Sequence, residues 1–207
     1  MKTRRSILLF TVLLIAFAGS GCGYNNLTTQ HENVKSKWSN IETQLQRRAD
    51  LINNLVEAAK MAGIQEQEVF GTIANARARL LQATSQPPQG EAGDRTPEQR
   101  QQIIDAANSF GGAIGRLLVL NEAYPTLRSN ENFLKLQDEI AGTENRIATA
   151  RKDYNDAVQA YNTTLKRFPT VLTAKLFGFR EEPYFQAEPG SQQPPQINAN
   201  SLRQTNK

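Results

Sequence analysis

Between Asn130 and Phe168 the apolar positions keep one rhythm. Phe133, Leu136, Ile140, Thr143, Ile147, Ala150, Tyr154, Ala157, Tyr161, Thr164 and Phe168 are separated alternately by three and four residues. That spacing draws a narrow stripe along a helix and lets the stripe lie against a neighbour. No Gly or Pro interrupts the run after Gly142. With a rise of about 1.5 Å per residue such a helix extends roughly 55 Å, which suits an elongated bundle and not a compact α/β domain. The rest of the chain must supply its partners.

The same rhythm recurs upstream. Val34, Trp38, Ile41, Leu45, Arg48, Ile52, Leu55 and Ala59 give a second seam, in which Arg48 is the single misfit. Gly63 predicts a helix end and a reversal of the chain, since Gly is a poor helix residue and a good terminator. A shorter helix follows with Val69, Ile73, Ala76, Leu80 and Ala83, and then TSQPPQGEAGD, residues 84–94, predicts an exposed loop tolerant of change. Thr96, Pro97 and Gln99 carry the residue types of a helix start, an N-cap, a first-turn proline and a box partner. The third helix presents Ile103, Ala107, Phe110, Ile114, Leu117, Asn121 and Tyr124 on one face and is stopped by Pro125. Its Gly111, Gly112 and Gly115 each cost about 1 kcal/mol relative to Ala, which predicts close helix contact there; a ligand slot lined by the glycines is the alternative. Ser129 or Asn130 caps the longest stretch, Pro169 ends it, and TVLTAKLFGF predicts a short helix leading to an aromatic hook that folds back on the core, a contact with a partner or with lipid being the alternative for its aromatics. The pattern as a whole predicts an all-α fold, an elongated antiparallel four-helix bundle with long first and last helices.

The N-terminus changes the picture. MKTRRS precedes ILLFTVLLIAFA, a basic segment before an apolar run of about a dozen residues, with small residues leading to Cys22, which is the layout of an export signal. GSGC resembles a bacterial lipobox, with Gly19 where a leucine usually stands. Cleavage before Cys22 would leave its thiol and new amine to carry acyl chains, palmitate among them, and two or more such chains hold a protein in a bilayer durably. An uncleaved helix counted from Ser6 to Gly23 is the alternative, at the spanning limit of about 18 residues. Four segments follow: a lipoprotein-type signal at 1–21, an anchor and spacer at 22–30 in which Gly23 to Thr29 leads into the first helix, a bundle at 31–185, and a C-terminal tail at 186–207 that lacks aromatics and periodicity and is expected to be disordered. Once Lys2, Arg4 and Arg5 are set aside, 21 of the 24 basic side chains stand against 20 acidic ones, so no basic surface for nucleic acid is indicated.

AYPTLRSNENF, TENRIATAR and DYNDAVQAYN, with SNIETQLQRRADLINNLVE further back, resemble the LemA family of bacterial membrane-associated proteins, in order and spacing, from about Tyr24 to Phe185. The resemblance implies a helical bundle and membrane association and leaves the partner open. Relatives of this kind commonly carry Pro where Asn53 stands, so the first helix is expected to run straighter here.

Candidate chemistry is sparse. His31 is the only histidine and Cys22 the only cysteine; there is no HxxH, HExxH, GxSxG or phosphate loop. No catalytic residue, metal site or cofactor is assigned. Adjacent carboxylates such as Glu181 and Glu182 have the pattern of a solvated surface. Arg48 on the seam needs a partner or a route to water, and Glu144, beside Thr143, is the candidate; the pair would fix the register of the two long helices, the alternative being that both are solvated. Tyr154-Asn155 and Tyr161-Asn162 repeat at seven residues and place both tyrosines on one face, as core residues whose hydroxyls reach the rim. A recognition surface formed by the two asparagines is the other reading. The functional expectation is a non-enzymatic scaffold or adaptor of the cell envelope, anchored with its bundle outside the cytoplasm and binding another envelope protein. The alternative is a module that senses an envelope ligand in a groove between helices.

Overall fold

The computed structural model describes residues 2–90, 93–124, 127 and 130–186, with side chains described from Gly23 onward except at 118 and 120–123. All regular structure among these residues is helical: α1 (Lys2–Met61), α2 (Gln67–Ser85), α3 (Pro97–Ala123), α4 (Glu131–Lys166) and the short α5 (Thr170–Phe177). α1 and α4 are the longest, at 60 and 36 residues. They run antiparallel, because their partners descend along one helix as they rise along the other: His31 meets Tyr161, Trp38 meets Tyr154, and Arg48 meets Glu144.

The seams explain this pairing. Val34, Ile41, Leu45, Ile52, Leu55 and Ala59 of α1 are fully buried, and Phe133, Ile140, Ile147, Ala150, Tyr154 and Tyr161 of α4 close over them. Each large aliphatic side chain so enclosed contributes about 1.5–3 kcal/mol. α1 ends at Met61 and the chain turns at Gly63, whose φ of 83° is left-handed; the Ile64 backbone N–H reaches back to the Ala59 carbonyl. The chain then reverses into α2, so that Arg77 donates to the Ala49 carbonyl at 2.9 Å. α3 returns packed against α2, reached from α1 by the Arg48 side chain, with its start anchored by a reciprocal cap: the Gln99 N–H donates to Thr96 Oγ1, and the Thr96 N–H to Gln99 Oε1, both at 3.2 Å. Asn130 caps α4 by accepting from the Phe133 N–H at 3.1 Å. The α2–α3 hairpin therefore covers one end of the α1–α4 pair. Around His31 and Tyr161, towards the other end, the covering is made by α5 and an extended segment, residues 179–186.

Several expectations are corrected. Gly23 to Thr29 is not a separate spacer: α1 is continuous through it, and Leu27 is fully buried. The α4 seam stops short of Phe168, which is 80% exposed, because the helix ends at Lys166 with Arg167 already extended. The 84–94 loop is exposed at Ser85, Pro87, Pro88, Gln89 and Gly93, as expected, but it is tied to the bundle. Arg95 donates to the Gln86 and Thr84 carbonyls and pairs with Glu42, and Gln99 holds Gln89 and Pro87. Close approach does not explain Gly111 or Gly115: a Cβ at Gly115 would meet nothing, and one at Gly111 would only graze the Arg48 guanidinium at 4.0 Å. The signal side chains at 1–21, Cys22, Pro125, Ser129 and the tail beyond Gln186 lie outside what is described.

Candidate functional site

The most buried charge among the described residues is Arg100, one turn into α3, with none of its surface exposed. The reciprocal cap at Thr96 and Gln99 fixes the turn that presents it. Its Nη2 lies 2.7 Å from Asp94 Oδ1 and its Nη1 2.7 Å from Glu182 Oε2. Trp38 of α1 offers its ring face at 5.7 Å, a favourable seat for a cation. Across the carboxylates stands His31, whose Nε2 is 3.2 Å from Glu182 Oε1 and 3.5 Å from Asp94 Oδ2. Burial alone would lower the Arg100 pKa, but the Glu182 and Asp94 charges outweigh it and hold the guanidinium above its ordinary value. Removing two carboxylates and a guanidinium from water is costly unless they satisfy one another. Here four segments each contribute one member: α1, the loop before α3, α3 itself and the extended C-terminal segment.

That extended segment is held on a rail along α4. Asn162 donates to the Glu182 carbonyl at 2.9 Å and accepts from its N–H at 3.0 Å. One heptad back, Asn155 does the same for Phe185, at 3.1 and 2.8 Å. Each side-chain amide thus serves both backbone polar groups of one residue, as a neighbouring strand would. The tyrosines preceding them add a second row, Tyr154 donating to the Pro183 carbonyl at 2.8 Å and Tyr161 to the Arg180 carbonyl at 3.0 Å. Burial pushes both phenols well above their usual range, with the Glu182 carboxylate adding to the effect. Phe185 is buried beneath the Arg151 guanidinium, 4.3 Å from its ring centre, while Tyr184 remains partly exposed. The repeated Tyr-Asn pair is therefore an intramolecular recognition surface whose occupant is this chain's own C-terminal segment.

Arg48 and Glu144 are brought together. Arg48, 2% exposed, donates from Nη1 to Glu144 at 3.1 and 3.3 Å and from Nη2 to the Ala107 carbonyl at 2.9 Å, with Phe110 beneath it at 5.3 Å. Arg151, one heptad beyond Glu144, is depressed in pKa by burial and then by the Arg48 charge.

The sequence reading missed the buried cluster. Glu182 was expected on a solvated surface, and His31 was noted only for lacking metal-ligand spacing; it is the adjacent Glu181 that faces water, paired with Lys166. Nothing in local spacing relates residues 31, 94, 100 and 182. A signal did exist in the unbroken YN heptad repeat, which sets two amides in line on one helix face. Chemically, the Arg100 guanidinium lies within 2.7 Å of both the Asp94 and Glu182 carboxylates and supplies the positive charge; among the described residues no group of His, Cys, Asp and Glu side chains could hold a metal ion. A shallow cavity of about 330 Å³ lies elsewhere, lined by Glu42, Gln46, Leu81, Thr84, Ser85 and Arg95; it does not adjoin the α3 glycines.

These features define an all-helical protein whose two long antiparallel helices are fastened by interior polar contacts. The chain belongs to the LemA family, whose model matches residues 37–198. It is similar to the magnetosome proteins MamQ 2 and MamQ 1 of Paramagnetospirillum magneticum, each 31% identical over 183 residues that span 83% of this chain and 67% of the relative. It is also similar to the magnetosome protein MamQ of Magnetospirillum gryphiswaldense, 29% identical over 189 residues, 84% of this chain and 70% of that one. Among the described residues no helix is long and apolar enough to cross a membrane; the apolar run at 7–18 lies outside those with described side chains.

Proposed function

We propose that this protein is a membrane-anchored, non-enzymatic scaffold of the bacterial cell envelope, an antiparallel four-helix bundle extended at one end by the hook and held as a rod outside the cytoplasm. The observation that carries this reading is the fate of its polar chemistry. The buried charges, both core tyrosines and both rail asparagines are consumed in joining one part of the chain to another. A group so committed is poorly placed to hold a substrate, and a rod so fastened transmits position and force.

Membrane attachment rests on the N-terminus. Cys22 falls within the course of α1. Acylation after cleavage would therefore place lipid at the first turn of the rod, and an uncleaved helix would run directly into it. Either way the rod meets the bilayer without a flexible joint. Membership of the LemA family supports a membrane-associated role, and similarity to magnetosome proteins supports work within a membrane-bounded assembly. The rod's partner is a second envelope protein.

The test is in-cell cross-linking with mass spectrometry, comparing the native protein with Cys22→Ala at equal expression. Envelope proteins captured by the native form and lost with Cys22→Ala are expected. Capture of the protein alone, with Cys22→Ala still in the membrane, would overturn both the lipidation and the adaptor role.

A further inference from the structure

α5 packs on α1 through Thr173 and Ala174, which are buried, at the first residues of the rod. A Cβ placed on Gly23 would lie 3.2 Å from Thr173 Oγ1, and the Tyr24 ring rests 4.8 Å from Phe177 and 5.8 Å from Phe179. The outer side of this small unit is apolar. Phe168, Leu172 and Leu176 follow at four-residue steps and are 80%, 60% and 77% exposed, with Phe177 and Tyr24 also exposed beside them. Five of the nine large apolar side chains exposed among the described residues collect at this end, so they form a patch and not the scatter normal for a surface. Between Lys166 and Arg180 the chain carries four basic residues, Lys166, Arg167, Lys175 and Arg180, and no acidic one. All four are exposed. Glu181 answers Lys166 alone.

We infer that α5 with Phe168 is an interfacial docking face that seats in an anionic lipid bilayer and sets the angle at which the rod stands on the membrane. The position of the patch selects lipid as its occupant. Gly23 directly follows Cys22, and the apolar run ending at Ala18 lies roughly 8 Å further along the helix axis. A patch of aliphatic and aromatic side chains ringed by cations at that height has the composition of a surface-lying amphipathic element. The inference rests on the membrane anchorage proposed above and adds to it a second point of contact, which converts a tether into a stand with a defined tilt.

The test uses the full chain reconstituted in vesicles of phosphatidylethanolamine and phosphatidylglycerol, with Leu176→Trp as a depth probe. The native Trp38 is buried far up the rod and serves as the internal control. Flotation with the vesicles reads the anchor. Quenching by lipids brominated along the acyl chain reads α5. Flotation of both proteins is expected, with Leu176→Trp losing most of its added emission and Trp38 keeping its own. Adding Phe168→Glu and Leu172→Glu, both at exposed positions, should abolish the quenching while flotation and helical content persist. A floating protein whose Leu176→Trp emission is unquenched overturns the docking and leaves the anchor standing. If that emission is also blue-shifted, a protein surface or a second copy covers the face. Failure to float overturns the anchor and the docking together.

Discussion

Replacing Arg100 with Met is the most demanding perturbation of this fold. The change nearly conserves side-chain volume, so the loss is electrostatic. Arg100 is fully buried and stands 2.7 Å from each of two carboxylates whose side chains are only 10% and 3% exposed. Removing the guanidinium leaves Asp94 and Glu182 facing each other, with His31 the remaining neighbour able to carry a positive charge. Breaking a buried pair in this way costs about 3–5 kcal/mol, and partial access of water past His31, whose side chain is 27% exposed, argues for the lower end. Removing one carboxylate as well should relieve the repulsion, so Arg100→Met with Glu182→Gln should recover about 1–2 kcal/mol of the loss expected from adding the two single changes. Urea unfolding followed by circular dichroism measures the whole molecule, and Trp38, the only tryptophan, stands 5.7 Å from Arg100 and reports the site itself. A cost for Arg100→Met no larger than that of a surface control, or strictly additive single and double changes, would refute the account of the cluster.

Three further outcomes follow from the same geometry. Asn162→Leu strips the Glu182 N–H and carbonyl of their partners, at about 1–3 kcal/mol, and should accelerate hydrogen exchange at Glu182 and Phe185 while the middle of α1 and α4 stays protected; unchanged exchange would discard the rail. Arg48→Met should cost about 1–3 kcal/mol because the hydrogen bonds of a buried guanidinium to Glu144 and to the Ala107 carbonyl are lost. Its coupling to Glu144→Gln should be only about 0.5–1 kcal/mol, since the Glu144 side chain is 43% exposed, and zero coupling would sink the pairing. Alkaline pH should weaken the fold: Tyr154 and Tyr161 hold their protons above the ordinary value of 10.0, so their contribution is intact below about pH 10 and is lost as pH rises and the unfolded chain releases protons that the folded one retains. Tyr154→Phe should flatten that decline by about 1.4 kcal/mol per pH unit, which urea titrations across the alkaline range would detect.

Periodicity made the helices legible because burial on one face is a local constraint repeated every turn. Val34 to Ala59 and Phe133 to Tyr161 could be written down from spacing alone. The same rule overran at Phe168, since spacing does not register the point where the backbone leaves the helix. Arg48 drew notice as a charge on an apolar seam, a local contradiction that demands a partner. Glu182 produced none. It sits in a polar, aperiodic stretch beside Glu181, and its burial depends on Asn162 twenty residues back and on Arg100 from another helix. Contacts of that kind arise from tertiary closure, which a single sequence records only as residue types. The Tyr-Asn repeat was visible, but its occupant is bare backbone, and backbone has no sequence signature.

The long seam has a weakness that its polar contacts repair. Heptad patterns are nearly degenerate: sliding α4 along α1 by seven residues would still set apolar positions against apolar positions, at a modest cost in packing. The charges are not degenerate. In the native register Arg48 faces Glu144; one heptad in the direction of rising α4 numbers would bring it to Arg151, a like charge whose pKa the existing proximity of Arg48 already depresses. One heptad the other way offers Gln137, which carries no charge to answer it. The Arg100 cluster bears on the α4 register only through Asn162, which holds the Glu182 backbone while the Glu182 carboxylate meets Arg100 and, on α1, His31. Asn155 and Asn162 bind the hook at the same fixed interval. Apolar replacements of equal volume often leave stability unchanged or raise it, so we propose that these groups select one alignment among several of similar packing. For the membrane-standing rod proposed above, a slip of one heptad would displace the far end by roughly 10 Å.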